Sequence, residues 1–230
     1  MPVTTVAERL TLVRDRVARA AERAGRSPAE VTIVAVSKLF PAQAIEEAVA
    51  AGIAHVGENR VQEAATKIPS LRHLPVTWHM IGHLQTNKAK TALELFDIIQ
   101  SVDSLRLAEA LSRRTERATP VLLEVNVAGE ASKFGMSPQE VLQTAEAIAR
   151  LPHLDMRGLM TIAPLVSDPE EVRPVFRELR RLRDALGLAE LSMGMTDDFE
   201  VAIEEGATLV RIGRAIFGER LHPEQIRREP

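Results

Sequence analysis

The sequence predicts one α/β domain over residues 1–230, a (β/α)8 barrel of the TIM type preceded by an N-terminal helix. Eight short apolar segments alternate with helical segments, and several are apolar throughout, as parallel strands covered on both faces are. The alternation occupies about 200 residues, near the lower size limit of this barrel. A doubly wound open sheet is the alternative, and it is disfavoured because no G-x-G-x-x-G motif follows the first strand.

The elements follow one another without a linker. A leading helix is predicted over residues 3–24, where apolar residues recur at helical spacing and Gly25 follows as a stop. The first strand, VTIVAVS, is β-branched and too short for a helix. The later strands are IAHVGE, TWHMIG, FDIIQSV, PVLLEVN, LDMRGLMTI, ELSMGM and TLVRIG. Helices are predicted at residues 41–51, 60–67, 84–94, 104–116, 137–151, 169–186 and 197–206.

The composition excludes several classes of function. Hydrophobic residues make up 45% and charged residues 27%, which is typical of a globular domain. The net charge of -3 gives no strong attraction to nucleic acid or to an anionic membrane. No apolar run approaches the ~20 residues of a membrane span and no signal-peptide core opens the sequence, so we expect a cytoplasmic protein. The chain contains no cysteine, so disulfides and thiolate metal sites are excluded, and no tyrosine, so phenol chemistry is excluded.

Lys38 directly follows the first strand, at the end of the barrel where enzymes of this fold carry their active sites. Mostly β-branched or small residues precede it, so its stem is expected to be partly buried. A neutral lysine amine in such a place can attack a carbonyl carbon and form a Schiff base. The alternative is a lysine that extends into solvent, which is the commoner fate of this side chain.

The segment TLVRIGRAIFG joins the eighth strand to the start of a short helix. The backbone N–H groups of Gly213 and Arg214 predict a phosphate-binding site at the amino end of that helix. Thr196, at the end of the seventh strand, would add a hydroxyl donor, cap the helix that follows it, or do both. Arg211 is expected to project into the barrel or to pair with a carboxylate such as Glu124.

The segment WHMIGHLQTNKAK carries His79 and His83, four residues apart. A metal site is not expected, because one histidine falls within a strand, the other lies beyond a glycine, and no carboxylate-rich partner accompanies them. His79 is expected to be a hydrogen-bonded structural histidine or to face a cofactor.

Seven segments, taken together and in order, resemble the pyridoxal phosphate homeostasis proteins. They run from about residue 31 to residue 218, which is nearly the whole chain, and are AVSKLFP, HVGENRVQE, WHMIGHLQTNK, VNVAGEASKFG, RGLMTI, LSMGMTDDFEVAI and VRIGRAIFG. The family is similar in fold to the N-terminal barrel domain of alanine racemase. Each segment alone is weak, but seven in the same order are specific.

The resemblance implies pyridoxal 5'-phosphate bound as a Schiff base on Lys38, with no catalytic residue and no metal. It implies that Arg211 faces the pyridine nitrogen, where a permanent cation disfavours protonation of the ring and makes it a poor electron sink. Asn59 would lie beside the ring. The phosphate would meet Thr196 and the backbone of Gly213 and Arg214, with Ser192 as a weaker candidate. The family usually has serine where this chain has Thr196, and the hydroxyl is kept.

Three functions compete. The resemblance implies a carrier and regulator that holds the cofactor and supplies it to apo-enzymes, without robust catalysis. We separately expect a monomer. The first alternative is an amino-acid racemase, which in related barrels needs a lysine and a tyrosine, and this chain has no tyrosine. The second alternative is a Schiff-base aldolase without cofactor, which needs an acid–base set near Lys38. Lys88, Lys90 and Lys133 are expected either to receive the departing cofactor or to lie on a solvated surface.

Overall fold

The computed structural model describes residues 5–219 and contains a closed barrel of eight parallel strands. The strands pair in chain order, and the last pairs with the first through Ile33 and Val210. The predicted fold class is confirmed. The strands are β1 (Thr32–Val36), β2 (His55–Glu58), β3 (Thr77–Met80), β4 (Ile98–Val102), β5 (Thr119–Glu124), β6 (Leu154–Met160), β7 (Glu190–Ser192) and β8 (Leu209–Ile212).

Helices follow the strands and surround the barrel. They are α1 (Val6–Arg23), α2 (Ala42–Ala50), α3 (Val61–Leu71), α4 (Ala89–Leu95), α5 (Leu105–Ser112), α6 (Pro138–Ala149), α7 (Arg173–Ala185), α8 (Phe199–Glu204) and α9 (Arg214–Phe217). Single 3-10 turns precede α4 and α7. Within residues 5–219, none of these helices has the length and apolar character needed to cross a bilayer.

Two predicted helix ends were wrong. The helix predicted over 60–67 continues to Leu71, because Ile68 and Leu71 are buried and extend its apolar face. The helix predicted over 104–116 ends at Ser112, whose hydroxyl donates to the carbonyl of Pro152 at 2.7 Å. The polar residues that follow form a turn.

Side chains along each strand alternate between the helix layer and the barrel interior, as the strand period of two requires. Outward residues such as Val56, Ile99 and Val210 join the apolar core between the strands and the helices. The interior holds aliphatic side chains together with buried polar ones, which include His79, Gln100, Ser192 and Arg211. The polar residues inside the barrel therefore need partners among themselves.

Helix α1 packs against α2, α8 and α9, and so connects the two ends of the described chain. A capping box at Thr5 begins it, and its apolar face is buried. The Arg9 side chain donates to the carbonyl of Ile216 at 3.1 Å, and Arg16 pairs with Glu200 at 2.8 Å.

Candidate functional site

The structure brings six of the seven predicted binding residues to one cavity of about 220 Å³ at the carboxyl ends of the strands. The cavity is lined by Lys38, Asn59, Thr196, Arg211, Gly213 and Arg214, among others. A neighbouring cavity of about 350 Å³ shares Lys38, Gly213 and Arg214 with it. The strand ends that the sequence singled out therefore meet around a single space.

Lys38 is held in place through the backbone of the residue before it. The Ser37 carbonyl accepts a hydrogen bond from Lys67 Nζ at 3.0 Å, and the Ser37 hydroxyl donates to Glu58 Oε1 at 2.7 Å. Lys67 also pairs with Glu58 at 2.8 Å, in a place where Glu58 is fully buried. Burial raises the pKa of Glu58, and the hydrogen bonds from Lys67 and Ser37 partly offset that rise.

The residue after Lys38 is held by the same cluster. The Leu39 N–H donates to Glu63 Oε1 at 2.5 Å, and Lys67 Nζ pairs with that oxygen at 2.6 Å. Although burial opposes it, hydrogen bonds from Lys67 and Leu39 lower the pKa of Glu63. Leu39 has a φ of 67°, a left-handed conformation that non-glycine residues adopt only when their surroundings impose it. Lys67 thus fixes the backbone on both sides of Lys38.

The loops after β7 and β8 form the side of the cavity predicted to bind phosphate. Gly213 is the residue before α9, whose first N–H groups have no partner within the helix. Thr196 is half-buried in the loop after β7. That loop turns at Gly194, where φ is 88° and a Cβ would lie 2.5 Å from Ala202 Cβ. The residue that precedes α8 as its N-cap is Asp198, so the prediction that Thr196 caps this helix was wrong.

An exposed ion pair joins the two loops. Arg214 Nη2 lies 2.6 Å from Asp197 Oδ2 and 2.7 Å from Asp197 Oδ1. Because both side chains are well exposed, this pair contributes little to stability.

Arg211 is a buried cation beneath the cavity. Its Nη1 donates to Ser192 Oγ at 2.6 Å and its Nη2 to the Thr161 carbonyl at 2.7 Å. Burial lowers its pKa to about 10, against the attraction of Asp198 and Glu124, so it stays charged at neutral pH. Both terminal nitrogens bond to neutral oxygens, and among residues 5–219 Arg211 forms no ion pair with Glu124. The pairing considered from the sequence is therefore wrong.

Ser192 lies below the cavity and does not line it. It is the inward residue at the end of β7, and its hydroxyl is engaged twice: it accepts from Arg211 and donates to Gln100 Oε1 at 2.6 Å. The structure therefore does not bring Ser192 to the other predicted phosphate contacts. Its hydroxyl supports Arg211 instead.

Asn59 reaches the cavity from the loop after β2 and depends on Gly82. A Cβ at position 82 would lie 2.2 Å from the Asn59 carbonyl oxygen and 2.6 Å from its Oδ1. Such distances do not occur between real atoms, so any other residue at position 82 would displace Asn59.

Both histidines of the WHMIGH segment have hydrogen-bond partners. His79 is fully buried and lies between His55 and Gln100, at 3.0 and 2.7 Å. His83 Nδ1 lies 2.8 Å from Asp103 Oδ2, and its ring stacks on Phe134 with centroids 3.7 Å apart. Within the described part of the chain, no group of three or more histidine and carboxylate side chains is arranged to hold a metal ion.

Sequence reasoning missed the residues that support the cavity. Glu63 and Lys67 lie four residues apart on α3, a spacing that places them on one face of the helix. Gln100 is a large polar residue within the mostly apolar strand β4, IIQSV. These two signals were present in the sequence, but neither indicated which distant residue the side chain would bind.

The barrel belongs to the class of proteins built like one domain of alanine racemase. The family model "Alanine racemase, N-terminal domain" matches residues 9–221. The alanine racemase of Corynebacterium glutamicum, at 18% identity, has the same fold with a TM-score of 0.71 over 93% of this chain and 63% of that one.

Closer relatives define the family. The pyridoxal phosphate homeostasis protein of Pseudomonas aeruginosa is 47% identical over 95% of this chain and 97% of its own length. The corresponding protein of Aquifex aeolicus is 46% identical over 93% and 97%. The structure of PipY from Synechococcus elongatus with PLP bound matches at 41% identity, with a TM-score of 0.83 over 93% of this chain and all of that one. The chain belongs to the pyridoxal phosphate homeostasis protein family.

Proposed function

We propose that this protein binds pyridoxal phosphate in the cavity, covalently through Lys38, and holds it for supply to other proteins without robust catalysis. The observation that carries the proposal is that Lys38, Arg211 and the phosphate donors line one cavity. Its relatives are named for pyridoxal phosphate homeostasis, and the related PipY structure is described with PLP bound.

The donor set fits this cofactor. Lys38 Nζ would bind the aldehyde carbon, and Asn59 would lie beside the ring. Thr196 and the backbone N–H groups of Gly213 and Arg214 would bind the phosphate, each as a neutral donor suited to an anion. When bound, pyridoxal phosphate would supply an aldehyde carbon that can be exchanged between amines.

Arg211 would face the pyridine nitrogen as a fixed cation. A second positive charge on that nitrogen is then disfavoured, so the ring withdraws electrons only weakly. A racemase also needs a second base, and none of the described residues that line the cavity is a histidine or a tyrosine. Asp197 lines it, but its carboxylate is paired with Arg214. These features favour the carrier over the racemase, and they leave no acid–base set for the aldolase.

The mouth of the barrel is accessible. Exposed apolar side chains lie on the loops around it, including Leu39, Phe134 and Leu165. Lys38 is itself only partly buried, so an amine or an apo-enzyme would approach it from this mouth, where Lys133 lines a neighbouring cavity together with Asp197. The proposal includes a monomeric, single-domain protein that acts in the cytoplasm.

The covalent site is tested by reduction. Borohydride treatment of protein loaded with pyridoxal phosphate, followed by peptide mapping, should place the pyridoxyl group on Lys38. Lys38→Ala should lose the label, whereas Lys90→Ala, which removes an exposed lysine, should keep it. A label that maps only to another lysine would contradict the assignment.

The carrier function is tested by transfer. Loaded protein should activate an apo-enzyme that depends on pyridoxal phosphate, and Lys38→Ala should alter this transfer. Neither L- nor D-alanine should exchange its α-hydrogen for deuterium at an enzymatic rate. Exchange faster than about 1 per second, the low end of ordinary turnover, would favour the racemase.

A further inference from the structure

A row of polar side chains crosses the barrel interior from the first residue of β2 to Arg211 on β8. His55 Nδ1 lies 3.0 Å from His79 Nε2, and His79 Nδ1 lies 2.7 Å from Gln100 Nε2. Gln100 Oε1 lies 2.6 Å from Ser192 Oγ, which lies 2.6 Å from Arg211 Nη1. We call these five residues the interior polar row. Four of them are fully or almost fully buried, and His55 is half-buried.

The chemistry of Arg211 determines the direction of every hydrogen bond in the row. A guanidinium has only donors, so Ser192 Oγ must accept from it. The Ser192 hydroxyl proton then points to Gln100 Oε1, and the Gln100 amide nitrogen donates to His79 Nδ1. His79 therefore carries its proton on Nε2 and donates it to His55 Nδ1.

The reverse arrangement leaves a buried group unsatisfied. If the Gln100 amide were rotated, its nitrogen would face Ser192 and its oxygen would face His79. Ser192 would then meet two donors, and its own proton would have no acceptor in a place without access to water. An unsatisfied buried hydroxyl disfavours that arrangement by at least about fivefold.

We propose that Ser192 and Gln100 are positioning residues for Arg211, and that the His79 tautomer follows the orientation of the Gln100 amide and reports it. The Thr161 carbonyl holds the second terminal nitrogen of Arg211 at 2.7 Å, so the guanidinium plane is fixed at two points. The directions of the remaining N–H groups of Arg211 are therefore set by the protein and do not depend on a ligand. That these donors face the pyridine nitrogen of pyridoxal phosphate rests on the proposed function.

The protonation state of His55 and His79 agrees with a row of hydrogen bonds that all point in one direction. Burial, together with the neighbouring His55, lowers the pKa of His79 to about 3. Burial also lowers the pKa of His55. Neutral rings each have one donor and one acceptor, which is what a row with a single direction requires.

The row is tested first without cofactor, by NMR of the full chain labelled with nitrogen isotope in histidine. Both His55 and His79 should be neutral with the proton on Nε2, in at least about fivefold excess over the other tautomer. Ser192→Ala should let the Gln100 amide rotate, so the two His79 tautomers become comparable.

Ser101→Ala is the matched control. Ser101 is also a buried serine, next to Gln100 on β4, and its hydroxyl has no hydrogen-bond partner among the described residues. This variant should leave the His79 tautomer unchanged. If Ser192→Ala does not fold cooperatively, Ser192→Cys should give the same change in part, because a thiol is a weaker donor and acceptor.

A second readout uses protein loaded with pyridoxal phosphate that is isotope-labelled at the ring nitrogen. Ser192→Ala and Gln100→Leu should both shift the ring-nitrogen resonance, and Ser101→Ala should not. The proposal is overturned if Ser192→Ala leaves the His79 tautomer and the ring-nitrogen resonance as Ser101→Ala leaves them. If the histidines behave as expected but the protein binds no pyridoxal phosphate, the interior polar row stands and the proposed function fails.

Discussion

Replacing Lys67 with methionine removes the cation that holds the backbone on both sides of Lys38. Methionine keeps most of the apolar stem and the length of the side chain, so the change isolates the loss of the ammonium group. Glu58 is then left without its ionic partner. Its Oε2 already has no hydrogen-bond partner within the described structure. The Ser37 carbonyl loses a donor as well.

The structure sets the size of the effect. The Glu58 side chain is 0% exposed and that of Lys67 is 12% exposed, so this is a buried ion pair. Breaking such a pair by removing one partner reduces the free energy of unfolding by about 3–5 kcal/mol.

The loss should depend on pH. Burial already raises the pKa of Glu58, and without Lys67 the pKa rises further, so the native variant keeps a proton that the unfolded chain releases. Stability is then full below the unfolded pKa and falls as pH increases through the folded pKa. Compared with the native protein, the deficit should grow by up to about 1.4 kcal/mol per pH unit.

Urea unfolding of both proteins at about pH 5.5 and pH 8 measures this difference. Lys90→Met, at an exposed lysine of α4, is the control and should change stability by less than about 0.5 kcal/mol at either pH. Retention of pyridoxal phosphate should also fall in Lys67→Met, since the Lys38 loop loses its anchor. A deficit that is independent of pH, or no larger than that of the control, would refute the argument.

Three further predictions concern other residues. Burial, with a smaller contribution from the charge of Asp103, raises the pKa of Glu124 to about 7. The free energy of unfolding of the native protein should therefore fall as pH rises toward that value. Glu124→Gln should remove a loss of about 2 kcal/mol in the free energy of unfolding between pH 5.5 and 7, as measured by urea unfolding. An unchanged pH dependence would contradict this. Gly82→Ala should displace Asn59 and weaken binding of pyridoxal phosphate several-fold in equilibrium dialysis, and native affinity would show that Asn59 does not contact the cofactor. Gly213→Asp should reduce affinity for pyridoxal phosphate by orders of magnitude but affect pyridoxal little, because a carboxylate repels the phosphate. Equal losses for both aldehydes would argue against a phosphate site there.

The fold was predictable because its signals are local. Each strand is a short β-branched or apolar segment, and each is followed by residues with helical spacing. The ends of helices were less predictable, since they depend on packing: α3 continues through Pro69 because Ile68 and Leu71 gain burial on the barrel. Nothing in the segment itself indicates that gain.

The site was predictable only in part for a related reason. Lys38 and Gly213 stand at strand ends, and the barrel fold itself brings such positions together. The supporting residues bind across the sequence: Lys67 reaches Ser37 over 30 residues, and Gln100 reaches Ser192 over 92. A pattern within one segment cannot specify a partner at that distance.

The attachment of α1 to α9 also affects how the protein is made. Arg9 binds Ile216 across 207 residues of sequence, so a ribosome releases α1 long before its partner exists. Until then the apolar face of α1, with Leu10, Val13 and Val17, lacks its partners α8 and α9 and is partly open to association with other chains. Contacts between such distant residues slow folding. The loop that carries Gly213 should therefore be among the last of the described parts to become ordered, and a nascent chain should bind pyridoxal phosphate only after α9 has been synthesised.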